Sequence, residues 1–194
     1  MNFRRALFFV LVAEGTIIAL AFINHGATIE TLQAVTRYSG RLSLFIFSLI
    51  FLFQRDERIN VRQLLSEKYF LIFAIAHGIH LVELLSYIYF SGNSFNPVRA
   101  SGGALAYAFI FLMPWVENQW EKNKISLGTF GRIELFYLFY VWLIFFLTYL
   151  PRVQGKLPNA GGTYKEHVIL LAWVCMLLGM KAQAMLFRRP FSKK

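Results

Sequence analysis

Four ionisable residues lie inside long apolar runs of the chain, where a charged side chain is costly and is usually kept for a function. They are Glu14, His77, His80 and Glu83. His77 and His80 are three positions apart, so a helix places both imidazoles on one face, and Glu83 continues that stripe with some drift. In a membrane, a neutral imidazole can ligate iron through one nitrogen while the other donates to a carboxylate or carbonyl. His77 and His80 are therefore candidate metal ligands and candidate heme ligands.

Other roles stay open for these residues. A buried histidine in a helical bundle often only hydrogen-bonds to a neighbouring helix. Glu14 and Glu83 also fit uncharged structural groups bonded to neighbouring helices, with a proton relay as the other interpretation. Two further histidines, His25 and His167, fall near span ends, where a surface role is the simpler interpretation. His167 is the stronger ligand candidate of these two because it opens the last apolar run.

The composition indicates that the elements carrying these residues are immersed in lipid. The chain has 194 residues, of which 57% are hydrophobic and 15% are charged. An average soluble domain is about a quarter charged. A soluble domain of this size leaves roughly 30% of its unfolded surface exposed to water, and here that surface would be largely apolar. The composition therefore predicts an integral membrane protein.

Six apolar runs predict an all-α fold, a single domain 1–194 built as a bundle of six transmembrane helices. A span needs about 20 apolar residues, and the second and fourth runs reach that length only with flanking residues. Arg4 and Arg5 precede the first run as in a signal peptide. Glu14 lies in its middle and no small-residue cleavage site follows, so we interpret it as a retained helix. The runs cover about 6–24, 38–54, 69–90, 100–116, 133–150 and 167–187.

The basic residues predict the orientation of the bundle. Of the 20 Lys and Arg residues, 14 fall on the side that holds the N-terminus, the second and fourth loops and the C-terminus. Such an excess marks the cytoplasmic face, so both termini are predicted to be cytoplasmic. The net charge of +10 then indicates anchors at an anionic lipid surface, with membrane lipids as partners and no nucleic acid. Arg41, at the start of the second run, fits a side chain that reaches the headgroups.

Four segments of the chain carry a resemblance to a known family. They are TRYSGRLSLFIFSLIFLFQRD, EKYFLIFAIAHGIHL, GGALAYAFIFLMPW and GRIELFYLFYVWLIFFLTYLPR, within residues of about 37–150. With the order of six short spans, they resemble the ferric reductase-like transmembrane domain family, which includes the heme-binding membrane subunit of the methionine sulfoxide reductase system. That family places a heme-ligating histidine in its third helix, and this position falls on His80. The usual fifth-helix histidine falls on Glu134, so the chain departs from the family at the second axial ligand.

The resemblance implies a component of a membrane oxidoreductase that holds heme b and passes electrons within the membrane. His80 would ligate the heme, with His77 or His167 as further ligands, and a redox protein or a quinone would be the partner. The implied location is the bacterial inner (cytoplasmic) membrane. Two other hypotheses stay open. One is a heme-free scaffold or partner subunit on the same fold, and the other is a membrane metalloprotein that binds iron or zinc through His77, His80 and a carboxylate such as Glu14 or Glu83.

Overall fold

A computed structural model describes residues 1–54, 61–92, 97–157 and 161–186, although not the side chains of 97–100. In this part of the chain there are seven helices and no strand, which confirms the all-α prediction. All six predicted apolar runs lie in helices, and a short seventh helix precedes the third run. The helices are α1 (Phe3–His25), α2 (Ile29–Phe53), α3 (Val61–Leu64), α4 (Tyr69–Ser91), α5 (Pro97–Glu121), α6 (Leu127–Val153) and α7 (Tyr164–Leu186).

Five of the helices are long and apolar enough to cross a membrane. They are α1, α2, α4, α6 and α7, with 23 to 27 residues each. At about 1.5 Å per residue, 23 residues span roughly 35 Å, and the hydrocarbon core of a bilayer is about 30 Å thick. Helix α5 has 25 residues but is not among the five, and it contains Pro114 and the buried Glu117.

The second helix is longer than its apolar run predicts, because it begins at Ile29 instead of near residue 38. Gly26 ends α1 with a φ of +65°, and the Thr28 side chain caps α2 by accepting a hydrogen bond from the Thr31 N–H. Only three residues therefore connect the two helices, which run antiparallel. The first part of α2 was missed because its polar side chains, such as Gln33 and Arg37, face the protein interior, where a polar residue does not mark a loop.

Aromatic side chains form the core around α2. The ring of Phe47 is fully buried and contacts Phe73 of α4 and Phe145 of α6, with ring centroids 5.6 and 5.3 Å away. Two tryptophan N–H groups hold the last helices in place. Trp142 donates to the Val174 carbonyl at 2.8 Å, and Trp173 donates to the Ser48 hydroxyl at 3.0 Å. The large apolar side chains that stay exposed cover the outside of the bundle, as lipid contact requires.

Polar pairs join the helices at the two ends of the bundle. At one end the Tyr69 hydroxyl donates to Glu134 at 3.4 Å, which connects the start of α4 to the start of α6. At the other end Arg41 of α2 forms a salt bridge of 3.2 Å with Glu166, in the first turn of α7. Arg152, in the last turn of α6, lies at this second end. We call it the arginine end, defined by Arg37, Arg41 and Arg152.

Candidate functional site

A cavity of about 380 Å³ lies between α2, α4, α5, α6 and α7, and we call it the central cavity. His77, His80 and His167, all predicted as ligands, are among its lining residues. From the sequence, His167 was expected near a span end, apart from the mid-span pair. The structure brings all three histidines to one space because α7 packs beside α2 and α6. The volume falls within the range of about 300–1,000 Å³ typical of small-molecule and cofactor sites.

Aromatic rings hold the His77 imidazole in place, and it makes no hydrogen bond with any residue that the structure describes. Its imidazole stacks between Phe73 and Tyr107, with centroids 5.3 and 4.7 Å away and an interplanar angle of 28° in both cases. Phe145 approaches it edge-on at 6.0 Å. The Nδ1 atom is buried without a hydrogen-bond partner. The imidazole of His77 is therefore fixed in one orientation, and its Nδ1 makes no hydrogen bond.

His80 lies against α2. The backbone of Thr36 lies close to its ring, and Nδ1 is buried without a hydrogen-bond partner. A Cβ added at Gly40 would lie 3.0 Å from the Cε1 atom of His80. Glycine at this position therefore lets the two helices come close over the imidazole.

His167 closes the cavity at the arginine end. It is 8% exposed, and its ring lies close to the backbone of Gly161. Its Nδ1 is also buried without a partner. Arg152 is close enough to both His167 and His80 to act on their charge. The sequence predicted a surface role or a ligand role for His167, and its burial in the cavity does not fit a surface role.

The three imidazoles cannot bind one bare metal ion together. No group of three or more His, Cys, Asp or Glu side chains is placed to hold a metal ion in the residues that the structure describes. His77 and His80 are neighbours, with ring centroids 5.4 Å apart, but they project from the same face of α4. They cannot approach one iron from opposite faces of a porphyrin.

Three arginines that the sequence analysis did not assign to a site also line the central cavity. Arg37 and Arg41 lie one turn apart on α2, and Arg152 approaches from the end of α6. Arg41 was expected among the lipid headgroups, but its guanidinium pairs with Glu166 and is 20% exposed. The spacing of Arg37 and Arg41 by four residues was the available signal, because it puts both on one helix face.

The acidic candidates lie outside the central cavity. Glu14 is 3% exposed and accepts a hydrogen bond of 2.9 Å from the Ser39 hydroxyl. Both carboxylate oxygens of Glu83 are buried without a partner, and Glu83 lines a second cavity of about 590 Å³ between α1, α2 and α4. Neither side chain lines the space that holds His77 and His80.

Two further candidates are placed away from the histidine pair. Glu134, where the resemblance places the family's second heme histidine, is 3% exposed and accepts a hydrogen bond from Tyr69 at the end of the bundle opposite the arginine end. His25 lies at the end of α1, where its Nδ1 is 3.7 Å from Glu30. It does not line the central cavity.

Comparisons of the chain with protein-family models, with curated proteins and with solved structures find no match. The ferric reductase-like resemblance therefore stays a prediction.

Proposed function

We propose that the chain is a six-span protein of the bacterial inner membrane that holds one b-type heme in its central cavity and passes electrons within the membrane. The observation that supports this proposal most directly is the convergence of His77, His80 and His167 on one cavity. Each has a buried Nδ1 without a partner. Unused polar atoms of this kind are rare in a folded interior and point to a missing interaction.

The residues of the cavity fit a heme held by one histidine and do not fit a bis-histidine heme. The ring of His80 is packed against the backbone of Gly40, where a Cβ would lie 3.0 Å from Cε1, and His167 lies at the arginine end of the cavity. His77 makes no hydrogen bond in the described part of the chain. The geometry therefore favours His77 as the axial ligand, one turn before the position that the resemblance implies.

The remaining residues of the cavity would orient the ring and exclude water. Phe73 and Tyr107 hold the His77 imidazole in one plane, which fixes the direction of its free nitrogen. Ile110, Val141 and Phe145 provide apolar walls. When bound, the heme would supply one-electron chemistry, with a potential set by its axial ligand and its burial. A redox protein or a quinone would exchange the electrons.

The experiment is the visible spectrum of the detergent-purified protein, oxidised and reduced with dithionite, with a pyridine hemochrome assay on the same sample. We expect a Soret band and b-type bands at near-stoichiometric heme in the wild type. The variant His77→Ala should lose the band, whereas His80→Ala should retain it at reduced intensity. His25→Ala is the matched control and should keep the full spectrum.

The outcomes separate the candidate ligands. Loss of the band in His80→Ala with retention in His77→Ala would move the ligand to the position that the family resemblance implies. A colourless wild type from heme-replete cells would contradict the heme proposal.

A heme-free membrane scaffold or partner subunit is the second candidate. It is favoured by the packing of His80 on Gly40 and by the hydrogen bond that Tyr69 donates to Glu134, because both positions that the resemblance assigns to heme ligands here serve helix packing. A scaffold of this kind would be colourless and would tolerate His77→Ala. The same spectra therefore decide between the two candidates.

The proposed topology has α5 as the sixth span and both termini in the cytoplasm. Its support is the charge asymmetry of the loops and the length of α5. To test this topology, single cysteines are introduced into a Cys175→Ser background. Intact cells are then labelled with a membrane-impermeant maleimide. We expect labelling of Asn93→Cys and Lys156→Cys, and labelling of Lys124→Cys only after permeabilisation. Equal labelling of Asn93→Cys and Lys124→Cys would show that α5 does not cross.

A further inference from the structure

The arginine end of the central cavity concentrates positive charge. Arg37, Arg41 and Arg152 all line it, and the described lining residues include no carboxylate. One carboxylate, Glu166, lies behind the lining and pairs with Arg41 at 3.2 Å. Arg37 and Arg152 form no salt bridge with any described residue. Glu166 also lies near Arg37, since a Cβ at Gly162 would be 2.7 Å from its Oε2 and 3.3 Å from Cδ of Arg37. Arg152 is therefore the guanidinium group of this end that has no carboxylate beside it among the described residues.

The donors of these guanidinium groups are incompletely used. The Nε atoms of Arg37 and Arg152 are buried without an acceptor. The Nη1 of Arg152 donates to the Thr148 carbonyl at 3.0 Å, and the group lies 5.6 Å from the centroid of the Tyr149 ring. Arg37 lies 5.1 Å from the centroid of the Tyr38 ring. The aromatic rings and the carbonyl do not offset the free-energy cost of burying a cation. A bound anion would offset that cost.

The hydroxyl group of Tyr87 is an uncharged hydrogen-bond donor on the same side of the cavity as the arginines. Gln33 donates to the Tyr87 hydroxyl at 3.0 Å, so the proton of that hydroxyl is directed elsewhere. Both residues line the central cavity. A ligand oxygen at the arginine end would accept from Tyr87 as well as from the guanidinium forks.

We propose that the arginine end of the central cavity is an oxyanion site, which binds a phosphate or carboxylate group between Arg37, Arg152 and Tyr87. Arginine suits this role because its planar fork pairs with two oxygens of such a group at once. Toward α5 the cavity is lined by Ala106, Ile110 and Ile144. The apolar part of a ligand whose anionic group lies at the arginine end would therefore fit there. The site does not rest on the heme proposal, because it uses none of the histidine nitrogens.

Three sources can supply the oxyanion: a free anion, the headgroup of an anionic lipid, or the carboxylates of the heme. Isothermal titration of the purified wild type with inorganic phosphate, at constant ionic strength against chloride, tests the first. Titration with dihexanoyl phosphatidic acid, against zwitterionic dihexanoyl phosphatidylcholine, tests the second. The heme content of each variant, measured by the pyridine hemochrome assay on the same samples, tests the third.

The variants are Arg37→Gln and Arg152→Gln, with Lys165→Gln as the matched control. Lys165 is exposed in the first turn of α7, and its replacement changes the net charge equally. We expect each arginine variant to weaken anion binding by about tenfold, the effect of losing about 1.4 kcal/mol, and Lys165→Gln to bind as the wild type does. Arg37→Lys keeps the charge without the fork and should show an intermediate loss, so the test survives if Arg37→Gln does not fold.

Each outcome bears on the site. Binding of phosphate supports it with a free anion as ligand, and binding of phosphatidic acid alone supports it with a lipid headgroup. If neither binds but heme content falls in the arginine variants and not in Lys165→Gln, the heme carboxylates occupy it. A colourless protein that binds phosphate would remove the heme proposal and keep this one. Equal binding by the arginine variants and the wild type, or no anion binding with unchanged heme content, would overturn it.

Discussion

The imidazole of His80 packs directly on the backbone of Gly40, so closely that a Cβ at residue 40 would lie 3.0 Å from Cε1 and 3.3 Å from Nε2. This contact sets the distance between α2 and α4 at one wall of the central cavity.

Replacing Gly40 by alanine should therefore disturb both the helix pair and the cavity. The added methyl group requires a shift of a packed ring, which typically costs about 1–3 kcal/mol. We expect a lower midpoint of thermal unfolding in detergent for Gly40→Ala. Gly15→Ala is the control, because nothing lies within 4 Å of a Cβ there, and it should be neutral or stabilising. Equal midpoints for the two variants would show that the contact is not rigid.

The first turn of α7 depends on Gly162. Its φ is +80°, and a Cβ there would lie 2.7 Å from Oε2 of Glu166, the atom that accepts the Thr163 N–H. Gly162→Ala combines backbone strain with a displaced helix cap, worth about 1 kcal/mol. Gly155→Ala carries the strain alone, since its φ is +71° and its surroundings are open. We expect the larger loss of thermal stability for Gly162→Ala, and a larger loss for Gly155→Ala would contradict this account.

The hydroxyl of Ser39 is the hydrogen-bond donor that the structure shows for the buried Glu14. Ser39→Ala should destabilise the protein by about 1–3 kcal/mol, because it leaves a buried carboxyl group without its partner. Ser86→Ala is the matched control, since that hydroxyl is exposed and donates only to its own helix at Val82. Chemical unfolding in mixed micelles measures the difference. Similar stabilities for the two variants would mean that Glu14 finds another donor.

Trp142 connects α6 to α7 by one hydrogen bond to the Val174 carbonyl. Trp142→Phe keeps an aromatic side chain and removes the donor, which should cost about 1 kcal/mol. Trp115→Phe is the comparison, because Trp115 is 58% exposed on the surface of α5. We expect a lower midpoint of thermal unfolding only for Trp142→Phe. If both variants have the same midpoint of thermal unfolding as the wild type, the hydrogen bond contributes little to the packing of α7.

The sequence was sufficient to predict that the six long helices exist, because each contains a long apolar run, but it did not predict the short helix α3. It was less informative about which side of a helix faces inward. The helices α1, α4, α6 and α7 are apolar on nearly all sides, as lipid immersion allows, so no stripe marks the core face. The start of α2 was missed for the opposite reason, since its polar residues belong to a cavity.

The site was predicted in part for the same physical reason. His77 and His80 could be recognised because an imidazole in an apolar run is conspicuous, and their spacing placed them together. His167 and the arginines lie near span ends, where polar residues are ordinary. Their convergence depends on which helices are neighbours, and the chain order alone does not give this. Glu14 could be recognised too, but the sequence did not show that it meets Ser39 on the far side of α2.

The helices α2 and α4 form a partition between side chains of different kinds. On one side lie Arg37 and His80, in the central cavity, and on the other lie Glu14 and Glu83, beside α1. A layer of two helices thus separates the guanidinium groups from the buried carboxyl groups, and no salt bridge joins the two sets among the described residues. An anion that entered the central cavity would therefore meet guanidinium groups that these two carboxyl groups do not neutralise.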